Sequence, residues 1–343
     1  MMPTIEAAWR TGRNNFNLLR LFAAWLVIYS HSLPITGSAG VDPLARLTVI
    51  KTAGALAVDI FFLISGFLVA ASFQRNPLRA FVLARTLRIY PALVVCVALT
   101  VCVLGPLLTT APDYWRHPDT WRYFWANATL WRAEFWLPGV FETLPRDAVN
   151  GSLWTMPIEG RLYVALMIAG LAGMLTPRRY LAAWALAMLG ACAFAYLRAP
   201  LPEHLAYLTW VTAFFITGTL LWTWRTRIRL GWWPLLVLLL ASAAVRGSPW
   251  FVPAYVATVT YATFCIAFLP RLPSPGRTDL SYGLYLYGWP MQQLALLAGA
   301  TTVLTNTVLA TVLAVACAAM SWFLVERPAL RFKRRSKAKS SPT

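Results

Sequence analysis

The chain has 343 residues, of which 59% are hydrophobic and only 12% charged. A soluble domain carries about 25% charged residues, so an ordinary cytosolic globule, a disordered chain and a small disulfide-rich module are all excluded. The net charge of +18 sits in short basic clusters between apolar runs, the pattern of membrane topology rather than of a nucleic-acid surface.

A bilayer core needs about 20 apolar residues per helix. Read in chain order, the sequence predicts an all-α, polytopic membrane helix bundle. Ten spans are expected, at about 17–36, 54–73, 89–108, 154–174, 180–198, 205–224, 232–246, 251–269, 281–299 and 305–325. The first is read as a retained helix although Gly37-Ser38-Ala39 resembles a cleavage site. Placing both termini in the cytoplasm puts 20 of the 30 Lys and Arg on the inner side, including Arg75, Arg79, Arg85, Arg88, Arg225, Arg227 and Arg229. That satisfies the positive-inside rule.

Three stretches are not read as spans. Residues 75–88 form a basic stretch expected to lie as a helix at the inner interface. Residues 109–153 are an outer segment with Trp115, Trp121, Trp125, Trp131 and Trp136, a candidate acceptor surface or an interfacial aromatic belt. Residues 333–343 are a basic, Ser-rich tail expected to be disordered. The membrane domain is thus 1–332. The five cysteines lie in apolar runs and form no CxxC, and His31, His117 and His204 have no metal-ligand spacing. Asn127-Ala128-Thr129 and Asn150-Gly151-Ser152 match the glycosylation pattern, too short a match to carry weight.

Ionisable residues inside a span are costly and face the bundle interior. Arg20 and His31 are eleven residues apart. At about 100° per residue they share one helix face, roughly 16 Å apart along the axis. Asp59 and Glu159 fall in the outer half with His31, and a carboxylate beside an imidazole is a general-base arrangement. Glu159 is the first choice to orient His31 and Asp59 the second; Asp59 has the stronger alternative of pairing with a basic residue of the outer loop. Arg85 and Arg88, three apart on one face, join Arg20, Arg75 and Arg79 in an inner cationic cluster. Phosphate is its natural partner, anionic lipid head groups the alternative. Glu326 is read as closing the inner end against Arg327 or a neighbouring arginine. A phosphate-headed donor with a long arm, such as an acyl-coenzyme A, has the shape to run between the two sets.

At these residues the chain resembles the acyltransferase-3 family of integral membrane O-acyltransferases. The resemblance is carried by Asn17-Leu18-Leu19-Arg20 with His31, and by Asp59-Ile60-Phe61-Phe62-Leu63-Ile64-Ser65-Gly66-Phe67. Arg85-Thr86-Leu87-Arg88, Ser152-Leu153-Trp154 with Glu159 and Tyr163, Ser281-Tyr282 through Trp289-Pro290, and Glu326-Arg327-Pro328 complete it, in family order. Gly288 stands where the family usually has histidine, and Pro157 and Gly160 are departures.

The resemblance implies transfer of an acyl group, usually acetyl, from cytoplasmic acetyl-CoA to a hydroxyl of a surface polysaccharide or lipid-linked sugar. It implies a multi-pass protein of a bacterial inner membrane with no permanently bound cofactor. In this reading Arg20, Arg85 and Arg88 hold the donor. His31 is base or transient acyl carrier, Glu159 and Asp59 support it, and Ser65 and Tyr163 donate hydrogen bonds. A transporter or flippase for an anionic lipid-linked sugar is the alternative, against which the sequence shows no inverted repeat.

Overall fold

The computed structural model describes residues 2–48, 51–182, 184–185, 203–273 and 278–332. Helices make up the architecture, and among the described residues the only β pairing is one isolated bridge, Thr4 with Arg229. In chain order they are α1 (Ile5–Arg10), α2 (Phe16–Ile35), α3 (Pro43–Thr48), α4 (Ala53–Arg75), α5 (Leu78–Leu99), α6 (Gly105–Leu108) and α7 (Pro118–Ala128). There follow α8 (Thr155–Leu171), α9 (Glu203–Thr223), α10 (Trp232–Ala244), α11 (Phe251–Phe268), α12 (Ser281–Leu297) and α13 (Val303–Ser321).

Six helical stretches among the described residues are long and apolar enough to cross a bilayer: Phe16–Ile35, Ala53–Arg75, Leu78–Leu108, Leu205–Thr223, Phe251–Phe268 and Val303–Phe332. Three other expected spans are helices of 17, 13 and 17 residues, α8, α10 and α12. At 1.5 Å per residue a 17-residue helix is about 25 Å long, just short of the hydrocarbon core. The expected span at 180–198 lies mostly outside the described residues, as does the tail 333–343.

Residues 75–88 are not a separate interfacial helix. From Leu78 the chain runs into α5, through a π-helical turn at Thr100–Leu104 and into α6, a continuous 31-residue stretch. Ile89, Ala92, Leu93, Cys96 and Val97 are buried along it, and packing this apolar face binds the basic N-terminal turns into the same helix. The π turn re-aims the backbone, and the Tyr114 hydroxyl donates to the Val101 carbonyl there at 2.9 Å.

Close helix contacts set the frame. Gly66 of α4 and Gly218 of α9 face each other's backbones: a Cβ on Gly66 would fall 2.0 Å from the Phe215 carbonyl oxygen, and one on Gly218 2.0 Å from that of Leu63. Without a hydrophobic drive between helices in lipid, such small-residue contacts are what lets dispersion hold them. Gly283 of α12 lies against Ala318 of α13 in the same way. Pro290 interrupts α12 and, lacking an N–H, leaves the Leu286 carbonyl without its helical donor. Asn150 Nδ2 supplies it at 2.9 Å. Asn150 and Asn127 are both buried and hydrogen-bonded, so neither is presented as a glycosylation acceptor.

Segment 109–153 is stitched to α12 by three hydrogen bonds from two side chains. Trp289 Nε1 and Gln293 Nε2 donate to the Ala148 carbonyl, and Gln293 also to that of Arg146. Its five named tryptophans are exposed. At the opposite end, α1 docks on the turn after α9, where Glu6 accepts from Arg10 at 2.7 Å and Arg225 at 2.6 Å. Asn15 Nδ2 donates to the Ile266 and Pro270 carbonyls at the end of α11.

Candidate active site

The elements α2, α4, α5, α8 and α12 converge on two joined chambers. One is lined by Phe61, Phe62, Ser65, Thr155, Glu159 and Tyr285 among others. The second is lined by Arg20, Arg85, Arg88, Ser65, Glu159 and Tyr163 among others. Arg20, Ser65, Glu159 and Tyr282 line both and therefore stand at the junction.

A compact hydroxyl–carboxylate cluster occupies that junction. Ser65 Oγ donates to Glu159 Oε1 at 2.9 Å, and the Tyr163 hydroxyl donates a short hydrogen bond to the same oxygen. The Ser65 and Tyr163 hydroxyls are 3.0 Å apart. Glu159 and Tyr163 are four apart on α8, so the helix places them one above the other. Among the described residues Glu159 has no cationic partner within ion-pair distance.

The arginines are less free than their spacing implies. Arg20 Nη1 lies 3.2 Å and Arg88 Nη2 2.7 Å from the same oxygen of Asp279, and Arg88 Nη1 lies 3.5 Å from Glu326. Glu326 also accepts from Ser321 at 3.1 Å; its arginine is Arg88, while Arg327 sits over the Phe323 ring. Asp279, in the connection before α12, accepts two further bonds from Ser281, at 3.1 Å from N and 2.5 Å from Oγ. Burial works against its charged form, but Arg88, Arg20 and Ser281 outweigh that and hold the Asp279 carboxyl well below the usual carboxylate range. Among the described residues Arg85 has no carboxylate partner; it stacks over Tyr163 at 5.7 Å, and its Nε is buried without a hydrogen bond.

Arg75 and Arg79 do not join this cluster. Arg75 stacks over Trp9 and Trp222, at 5.3 Å from each ring, and Arg79 is exposed.

The shared face of Arg20 and His31 is realised, since both look onto the α12 region, Arg20 onto Asp279 and His31 onto Trp289 at a ring distance of 4.8 Å. Among the described residues no carboxylate reaches His31, contrary to the expected support. His31 Nδ1 is buried without a hydrogen-bond partner, Glu159 is engaged by Ser65 and Tyr163, and Asp59 is engaged elsewhere. Asp59, 1% exposed, accepts from Trp210 Nε1 at 2.8 Å and the Tyr255 hydroxyl at 2.9 Å, with Lys51 lying 3.8 Å over the Trp210 ring. The reason is phase: Asp59 and Ser65 are six apart on α4, so their side chains leave the helix on different faces. Gly288 packs against Ile28, with the nearest side-chain atom 3.0 Å from where a Cβ would be.

A third, larger hollow opens between α5 and α8, lined by Val82, Arg85, Tyr163, Gly160, Val164 and Ile168 among others. Asp279, Tyr282 and Tyr285 escaped the reading of the sequence. Asp279 lies outside the spans, and the tyrosines read as ordinary helix residues of the Ser281-Tyr282 motif.

Comparison with known proteins settles the class. The model of a family described as an acyltransferase domain, acyltransferase-3, matches residues 13–326. The chain belongs to the acyltransferase-3 family of integral membrane O-acyltransferases. Nodulation protein 10 of Rhizobium leguminosarum bv. viciae is 30% identical to this acyltransferase over 368 residues, covering 94% of each chain. An O-acetyl transferase of Shigella phage Sf6 is 27% identical over 340 residues, covering 96% of this chain and 98% of that one. No solved structure matches it. Crossing helices and family together make it a multi-pass membrane acyltransferase.

Proposed function

We infer that this enzyme transfers an acetyl group from cytoplasmic acetyl-CoA to a hydroxyl of a surface polysaccharide or lipid-linked sugar, at a bacterial inner membrane. Ten spans with both termini in the cytoplasm fit this role. The observation that carries the reading is the junction: a carboxylate with no cationic partner among the described residues, reachable from an arginine-lined chamber on one side and an aromatic chamber on the other. The relative named an O-acetyl transferase supports the acetyl group and the oxygen acceptor.

In this reading Arg85, with no carboxylate partner among the described residues, takes a donor phosphate first, and Arg88 and Arg20 complete the grip by exchanging part of their bonding to Asp279 for phosphate oxygens. The pantetheine arm then reaches Glu159, which takes the proton of the attacking hydroxyl as general base. His31, packed on Trp289 beside the outer segment, serves the acceptor side, and Asp59 fixes α4 against α9 and α11 through Trp210 and Tyr255.

The test is label transfer. Purified enzyme in nanodiscs, given acetyl-CoA labelled in the acetyl group and a glycan acceptor with no gradient, moves label to base-labile ester on the glycan. Release of label only as free acetate, or no consumption of acetyl-CoA, refutes the reading.

A further inference from the structure

We propose that Ser65 carries the acyl group, so that transfer proceeds through a serine ester in two half-reactions. This rests on the acyl-CoA donor inferred above and adds to it the covalent route.

The argument is one of elimination among the hydroxyls that line the two chambers. The Tyr282 hydroxyl donates to the Ile89 carbonyl at 2.9 Å, and that of Tyr285 to the Ser152 carbonyl at 3.0 Å. Thr155 Oγ1 is paired with the Tyr285 hydroxyl at 2.8 Å. Ser281 Oγ does meet a carboxylate, Asp279, but that group is committed to two guanidiniums and held strongly ionised, a poor proton acceptor. Tyr163 lines the arginine chamber and not the aromatic one.

Ser65 differs on both counts. Its hydroxyl hydrogen-bonds a carboxylate that has no cationic partner among the described residues, and it lines both chambers. Nucleophile next to base, with the base oriented by a third group, here Tyr163, is the arrangement of covalent catalysis. Its place at the junction lets the same oxygen face the donor first and the acceptor afterwards.

In the first half-reaction Ser65 Oγ attacks the thioester carbonyl carbon while Glu159 takes its proton. The new C–O bond forms, the C–S bond breaks, and Glu159 gives the proton to the departing thiolate. In the second, Glu159 takes the proton of the acceptor hydroxyl, whose oxygen attacks the serine ester. The ester C–O bond to Ser65 breaks, and the proton returns to Ser65 Oγ. No oxidant, reductant or further reactant enters.

The experiment mixes the full-length enzyme in nanodiscs with radiolabelled acetyl-CoA and no acceptor. The expected result is a burst of one thiol per enzyme and label on the peptide containing Ser65, stable to neutral hydroxylamine. Ser65→Cys changes that label to a hydroxylamine-labile thioester, and Ser65→Ala gives neither burst nor label. Because the wild-type label is read directly, misfolding of a variant does not blur the outcome. Label on His31, or glycan acetylation with no protein-bound label, overturns the serine route while leaving the donor reading intact. No thiol release without acceptor overturns the serine route alone; no thiol release from any acyl-CoA even with the glycan acceptor added overturns both.

Discussion

Asp279→Asn is the most informative structural perturbation of the site. Its carboxylate balances Arg20 and Arg88, and with Glu326 the four side chains sum to zero charge. Its side chain is 10% exposed and that of Arg88 14%. Removing one partner of a buried ion pair costs about 3–5 kcal/mol, because the other charge is left uncompensated. Here Glu326 still touches Arg88 at 3.5 Å and Arg20 keeps 21% exposure, so the expected cost is at the lower limit, about 3 kcal/mol. Arg20→Gln leaves the cluster one charge negative. The pair Asp279→Asn/Arg20→Gln restores zero and should recover about 1–2 kcal/mol of the summed loss. Equilibrium unfolding in mixed micelles with rising SDS, read by tryptophan fluorescence, measures all four corners of the cycle. Strict additivity, or an Asp279→Asn cost below about 0.5 kcal/mol, the range of neutral surface changes, would refute the reasoning.

Three further outcomes follow from the same physics. Gly66→Ala and Gly218→Ala should each sharply reduce the yield of folded protein, since their Cβ atoms would lie 2.0 Å from carbonyl oxygens, while Gly160→Ala, 3.3 Å from the mobile end of Leu130, should be neutral in the same solubilisation assay. Asn150→Ala removes the stronger donor to the Leu286 carbonyl, leaving only the weak Cys96 Sγ bond at 3.7 Å, and should cost about 1 kcal/mol in SDS unfolding. The Asp279 carboxyl is depressed in the folded state, so its stabilisation is complete above the ordinary carboxylate range and is lost progressively as pH falls through that range toward the folded value. Between pH 7 and 3 wild type should therefore lose more stability than Asp279→Asn.

How much of this was legible in the sequence depended on what kind of signal each residue gave. The phase of Arg20 and His31 is a property of one helix, and both side chains do face the α12 region. The junction joins Ser65 of α4 to Glu159 of α8, 94 residues on; Glu159 stood out as a carboxylate within a span, whereas Ser65 and Tyr163 were pointed to by family motifs. Proximity of carboxylates to His31 was argued from depth alone, and depth says nothing about azimuth: Asp59 turns to Trp210 and Tyr255. Asp279 was missed because a search for charge within spans passes over a connection, although Asp279 bonds the cavity-lining Arg20 and Arg88. Residues 75–88 looked interfacial because local charge was weighed without the packing that continues α5 through them.

The central claim is that Glu159, at the meeting point of the two chambers, handles the proton of transfer. The direct measurement is turnover of labelled acetyl-CoA by Glu159→Gln in nanodiscs, with folding checked by SDS unfolding. A positioned general base contributes about 10²–10⁴-fold; a loss in that range, with the KM for acetyl-CoA unchanged, is the predicted result. Turnover within threefold of wild type, where roughly a hundredfold loss is the least expected, would contradict the account.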